Sequence, residues 1–90
     1  MDILSLPASL DLKTAAELQQ ALLAKRGQPL QLDATHVERV GGLGLQVLLA
    51  ARAAWDADGQ DLVVHPSSHD FEAGLALLGA HTAMLREAEG

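Results

Sequence analysis

The sequence predicts a single small α/β domain. Three observations carry this: ninety residues suffice for one core, strand-like and helix-like segments alternate along the chain with short turns between them, and the core-forming residues are aliphatic, with 49% of the chain hydrophobic but only 2% aromatic.

Asp2 to Leu6 reads as a first strand, closed by Pro7. A helix follows, with Thr14 and Glu17 three residues apart in a capping-box pattern and Ala15, Leu18 and Leu22 at helical spacing. Lys25 and Arg26 complement its negative end, and Gly27 stops it. Pro29 to Asp33 reads as a second strand, and Val37 and Val40 anchor the irregular run after it. The second helix is expected from about Gly44 to Asp58, with Val47, Leu48, Ala51, Ala54 and Trp55 on one stripe and Gly59 at its end. Leu62 to Val64 reads as a buried strand stopped by Pro66. Ser67 or Ser68 then caps a third helix, Asp70 and Glu72 suit its positive end, Phe71, Leu75 and Leu78 form its inner face, and Gly79 closes it. The tail from His81 to Gly90 fits either a short strand or a frayed helix.

Composition narrows function. The formal net charge is −6, which argues against a nucleic-acid partner, since that requires a basic footprint. There is no cysteine, so disulfides and thiolate metal sites are excluded, and the absence fits a reducing compartment. The N-terminus does not read as a signal peptide, and no apolar run approaches the roughly 20 residues of a membrane span. A cytoplasmic protein is expected.

Catalytic and metal-binding readings fare poorly. His36, His65, His69 and His81 form no ligand motif, and Pro66 breaks the spacing between His65 and His69. Ser67, Ser68, His69 and Asp70 contain the residue types of a hydrolytic triad, but triads converge from separate elements. No catalytic residue, metal or cofactor is expected. The run Gly41-Gly42-Leu43-Gly44 is the most unusual local feature. Glycines before a helix leave its first N–H groups open to an anion or a close backbone, or they simply make a tight strand-to-helix turn. A Walker loop would also need Lys followed by Ser or Thr, which this run lacks.

Taken in order, the segments resemble the STAS family of anti-sigma factor antagonists. Leu10-Asp-Leu-Lys-Thr-Ala15 resembles the opening of the family's first helix, and Leu30-Gln-Leu-Asp33 is similar to its strand ending in Asp or Asn. The match is strongest from Val40 to Ala50, where the family carries Asp-Ser-Ser-Gly followed by Leu and an apolar helix. Asp58-Gly59 to Val64, a Pro-Ser cap, and Phe71 to Leu78-Gly79 follow in family order. The resemblance covers nearly the whole chain, treats residues 1–90 as one domain, and implies a small mixed β-sheet with helices packed mainly on one side.

The resemblance also implies a role: a non-enzymatic module that binds an anti-sigma factor or related kinase-like ATP-binding protein and takes part in transcription regulation or signal transduction. Family members that answer to a kinase carry the phospho-acceptor serine where Leu43 stands here, and Gly42 takes the preceding hydroxyl position. Phosphorylation therefore does not carry over. The docking surface does, giving Asp33, Gly41, Gly42, Leu43, Gly44 and Gln46 as expected partner-binding residues. Leu43 is either an exposed apolar anchor or a core residue. Two other roles fit the resemblance: an adaptor subunit of a chemotaxis-type histidine kinase or lipid-transport ATPase complex, and a small-ligand or nucleotide sensor using Asp33 and the glycine turn.

Overall fold

In the computed structural model, which describes residues 1–85, the elements run β1 (Asp2–Ser5), β2 (Ser9–Leu10), α1 (Leu12–Leu23), β3 (Leu30–Ala34), β4 (Arg39–Val40), α2 (Gly42–Ala57), β5 (Leu62–Ser67), α3 (His69–Leu77) and α4 (His81–Met84). Buried and half-buried residues alternate along β3, so Leu30, Leu32 and Ala34 face the core while Gln31 and Asp33 face away. β3 is the central strand, with β1 and β5 on either side, both parallel to it. β2 and β4 form a separate parallel pair. Parallel neighbours cannot be joined by a hairpin, and here α1 and α2 make the crossovers.

The helices cover one face of the sheet, as expected. Leu18 and Leu22 of α1, Leu45, Leu48, Ala51 and Trp55 of α2, and Phe71 and Leu75 of α3 share one cluster with Leu30, Leu32, Ala34 and Leu62. Trp55 is buried, and its indole Nε1–H donates to the Gln28 carbonyl at 2.8 Å. On the other face Ile3, Gln31 and Val63 lie in register across the three strands, and Ile3 and Val63 are exposed.

Several local expectations change. α1 begins at Leu12, so Asp11 is its N-cap and Thr14 its third residue. The Asp11 carboxylate accepts from Thr14 N–H, and Thr14 Oγ1 accepts from Asp11 N–H, both at 3.1 Å. Asp11 and Thr14 thus make the capping box, in place of Thr14 and Glu17. Lys25 and Arg26 lie beyond the last turn of α1. Lys25 reaches Asp2 at 3.2 Å, and Arg26 forks onto both oxygens of Asp58 at the end of α2. α2 begins at Gly42 rather than Gly44, because packing overrides the low helix propensity of glycine.

β5 continues through Pro66 to Ser67. It is an edge strand, and its register against β3 slips by one residue between Leu32 and Ala34. Edges and bulges are where a strand tolerates a proline. Its outer face is open, so Val63 is exposed rather than buried. Ser68 is the N-cap of α3: its Oγ accepts from Phe71 N–H at 3.0 Å and donates to the Val37 carbonyl at 2.6 Å. α3 rests on β4, where Gly74 lies so close that a Cβ would meet Val40 Cγ2 at 2.9 Å. Phe71 and Leu75 are buried, but Leu78 is the C-cap and exposed, because the helix ends before its face returns to the core. The segment from His81 forms the short helix α4, with Met84 buried; the rest of the expected tail, from residue 86 on, lies outside the described residues.

Candidate functional site

β4 delivers the chain into Gly41, which is extended (φ −92°, ψ 163°) and serves as the N-cap of α2 with no side-chain capping bond. Its N–H donates to the Leu10 carbonyl at 2.6 Å, and its carbonyl accepts from Leu45 N–H at 2.9 Å. The start of α2 therefore lies directly on β2. A Cβ on Gly41 would meet the Leu10 carbonyl oxygen at 2.8 Å, and one on Gly44 would meet Leu10 Cβ at 2.7 Å. Gly42 has open space where a Cβ would stand.

The four residues thus divide. Gly41 and Gly44 let the helix sit on a strand. Gly42 and Leu43 form the surface, with Leu43 46% exposed, and exposed Gln46 follows on the next turn. Leu43 is on the solvent side, not in the core. The helix begins with N–H groups that no side chain caps, beside an apolar side chain. This arrangement suits close contact with another surface and holds no hydroxyl, thiol or carboxylate to do chemistry.

Asp33 is the penultimate residue of β3, and its Oδ1 accepts from Thr35 N–H at 2.9 Å and from Thr35 Oγ1 at 2.6 Å. These hydrogen bonds hold its carboxyl below the usual aspartate value, and His36 and His65 add a smaller electrostatic pull. Among the described residues no hydrogen bond joins Asp33 to Gly41–Gly44.

Ser67 Oγ donates to Glu72 Oε2 at 2.5 Å, so it and Ser68 are both engaged in holding the start of α3. His81 Nε2 stands 3.8 Å from Glu72 Oε1. Ser67, with smaller contributions from His81 and His69, holds the Glu72 carboxyl below its usual value. No group of three or more His, Asp or Glu is placed to hold a metal among the described residues.

Sequence reading did not single out Leu12 and Leu77, which are 74% and 88% exposed. The signal was available: each lies off the buried stripe of its own helix, Ala15-Leu18-Leu22 in α1 and Phe71-Leu75 in α3.

A parallel sheet covered on one face by helices, with an uncapped glycine turn opening the longest helix, defines a small α/β domain. A family model described as "Mlab, STAS domain" matches residues 2–87, and the chain belongs to the STAS domain family. No curated protein matches it. No helix among the described residues is long and apolar enough to cross a membrane.

Proposed function

We propose that this chain is a non-enzymatic regulatory module that docks a protein partner constitutively, through the turn that opens α2. The partner class is an anti-sigma factor or a related kinase-like ATP-binding protein in the cytoplasm, and the mechanism is competition: the partner, once bound here, releases whatever it was holding. One observation supports this above others. Leu43 is exposed at the head of an uncapped helix and does not belong to the core cluster. Asp33 belongs to the proposed contact only as a flanking group, since its carboxylate is bound to Thr35.

A second reading is favoured by the side chains at 42 and 43. Neither can accept phosphate, so the contact has no covalent release. A subunit that stays in its complex needs none, which suits an adaptor of a chemotaxis-type histidine kinase or a lipid-transport ATPase.

The test is affinity capture of the tagged full chain from its native host, followed by titration of the recovered partner against wild type and Leu43→Asp. The charge should weaken binding about ten-fold, or 1.4 kcal/mol, with the fold intact by circular dichroism. A folded variant of unchanged affinity would place the docking surface elsewhere. Whether the recovered partner is an anti-sigma factor or a subunit of a kinase or transport complex decides between the two readings.

A further inference from the structure

Beside the proposed docking turn, the β2–β4 ladder and α3 enclose an open groove of about 430 Å³. Its floor is apolar: Leu10, Val40, Gly41 and Gly74. Leu10 is fully buried beneath it, and the close fit of Gly74 on Val40 fixes the spacing of its two walls. Leu77 stands on the α3 wall almost wholly in solvent. Leu12 follows directly on the lining residue Asp11, and Leu43 comes two residues after Gly41; both are exposed.

The rim is charged and unbalanced. Asp11, Glu38 and Asp70 face one cation, Arg39. Asp11 is held ionised by its capping bonds to Thr14 and by Ser9. Glu38, Arg39 and Asp70 make no ion pair among the described residues. An apolar floor under a net negative rim complements a segment that is apolar on one side and cationic on the other.

The backbone decides the form of that segment. β2 and β4 are each two residues long, too short to template an added strand, since strand addition draws its affinity from a run of main-chain hydrogen bonds. A helix needs no such ladder and presents apolar residues at three- and four-residue spacing to a groove.

We infer that this groove receives an amphipathic helix of the partner, its apolar face on Leu77 and Val40 and its Lys or Arg residues against Asp11, Glu38 and Asp70. The inference rests on the docking reading above and names the partner element that reading leaves open.

Two synthetic helical peptides of about 15 residues test it. They share one Leu stripe and differ only in carrying Lys or Glu at the polar positions. Titrated into the labelled full chain, the Lys peptide should shift the amide signals of Val40, Gly41, Gly74 and Leu77, and the Glu peptide should not. The double variant Glu38→Lys/Asp70→Lys, at two exposed sites, should stay folded and weaken the Lys peptide about ten-fold. Equal binding of the two peptides, or shifts confined to other surfaces, would overturn the inference. The native partner separates this idea from the docking reading. If Leu43→Asp weakens that partner and the double variant does not, the groove is wrong and the turn stands. If only the double variant weakens it, the groove stands and the turn is wrong.

Discussion

Gly44 packs against the backbone of Leu10 so tightly that an added Cβ would lie 2.8 Å from both the carbonyl carbon and the carbonyl oxygen of Leu10. Two elements far apart in sequence are joined at this point, and backbone atoms cannot move aside. Gly44→Ala should therefore destabilise the domain, by about 1–3 kcal/mol as for other overpacked sites, despite the better helix propensity of alanine. Gly42 is the internal control, because nothing lies within 4 Å of its missing side chain. Gly42→Ala should stabilise by about 0.4–1 kcal/mol. Urea melts of the two variants should move in opposite directions; movement in the same direction would mean that α2 does not rest on β2 as described.

That contact also shows where sequence reasoning stops. The glycine run was legible as the place where a helix starts, because the apolar stripe of α2 begins just after it, although only Gly41 precedes the helix. The reason for Gly41 and Gly44 was not, because it depends on Leu10 lying beneath them. The core stripes of α1 and α2 were readable from their period, and the second expected strand to within one residue at each end. Within Leu62-Val-Val64 only Val63 departs from the buried strand expected, because a short apolar run looks the same whether one face of the strand is covered or both. Asp11-Leu-Lys-Thr14 and Thr14-Ala-Ala-Glu17 both have cap spacing, and only the position of the first helical turn decides between them. The groove draws on segments around Ser9, Arg39 and Ala73, so no local pattern announces it.

The packing of α3 separates two leucines three residues apart. Leu75 is fully buried in the common core, and Leu78 is half exposed at the C-cap. Leu75→Ala should cost about 2–5 kcal/mol, and Leu78→Ala should stay within about 0.5 kcal/mol, as surface changes do. Comparable losses for both in denaturant melts would contradict the helix end seen here.

Acid should weaken the fold by a nameable route. Asp11, Asp33 and Asp58 all sit below the ordinary aspartate value of 3.8, held there first by hydrogen bonds from Thr14, Thr35 and Arg26 respectively. Glu72 sits below 4.5 because of Ser67. Each carboxylate binds a proton less readily folded than unfolded. Their contribution is therefore present above those ordinary values and lost as the pH falls through the lower folded ones. The urea midpoint should drop steadily with acidification below pH 4 to 5 or so. Asp11→Asn should flatten that slope, since asparagine keeps the capping oxygen but does not titrate. An unchanged slope would remove Asp11 from the explanation.

The remaining prediction concerns modification. The resemblance puts the phospho-acceptor position at Leu43, with Gly42 before it, and neither side chain can carry phosphate. Thr35 is the nearest hydroxyl upstream, and its environment opposes the reaction. Its Oγ1–H donates to Asp33 Oδ1 at 2.6 Å while its N–H donates to the same oxygen, so transfer would first have to break the turn that ends β3. The product would then place about −1.5 to −2 charges beside a carboxylate that the same turn keeps ionised. Intact-mass and peptide mass spectrometry of protein purified from its native host should find Thr35 unmodified, and Thr35→Ala should leave partner affinity within about two-fold, or 0.4 kcal/mol. Stoichiometric phosphate on Thr35 would mean that the module carries a switch after all, moved from the head of α2 to the end of β3, and that binding is not constitutive.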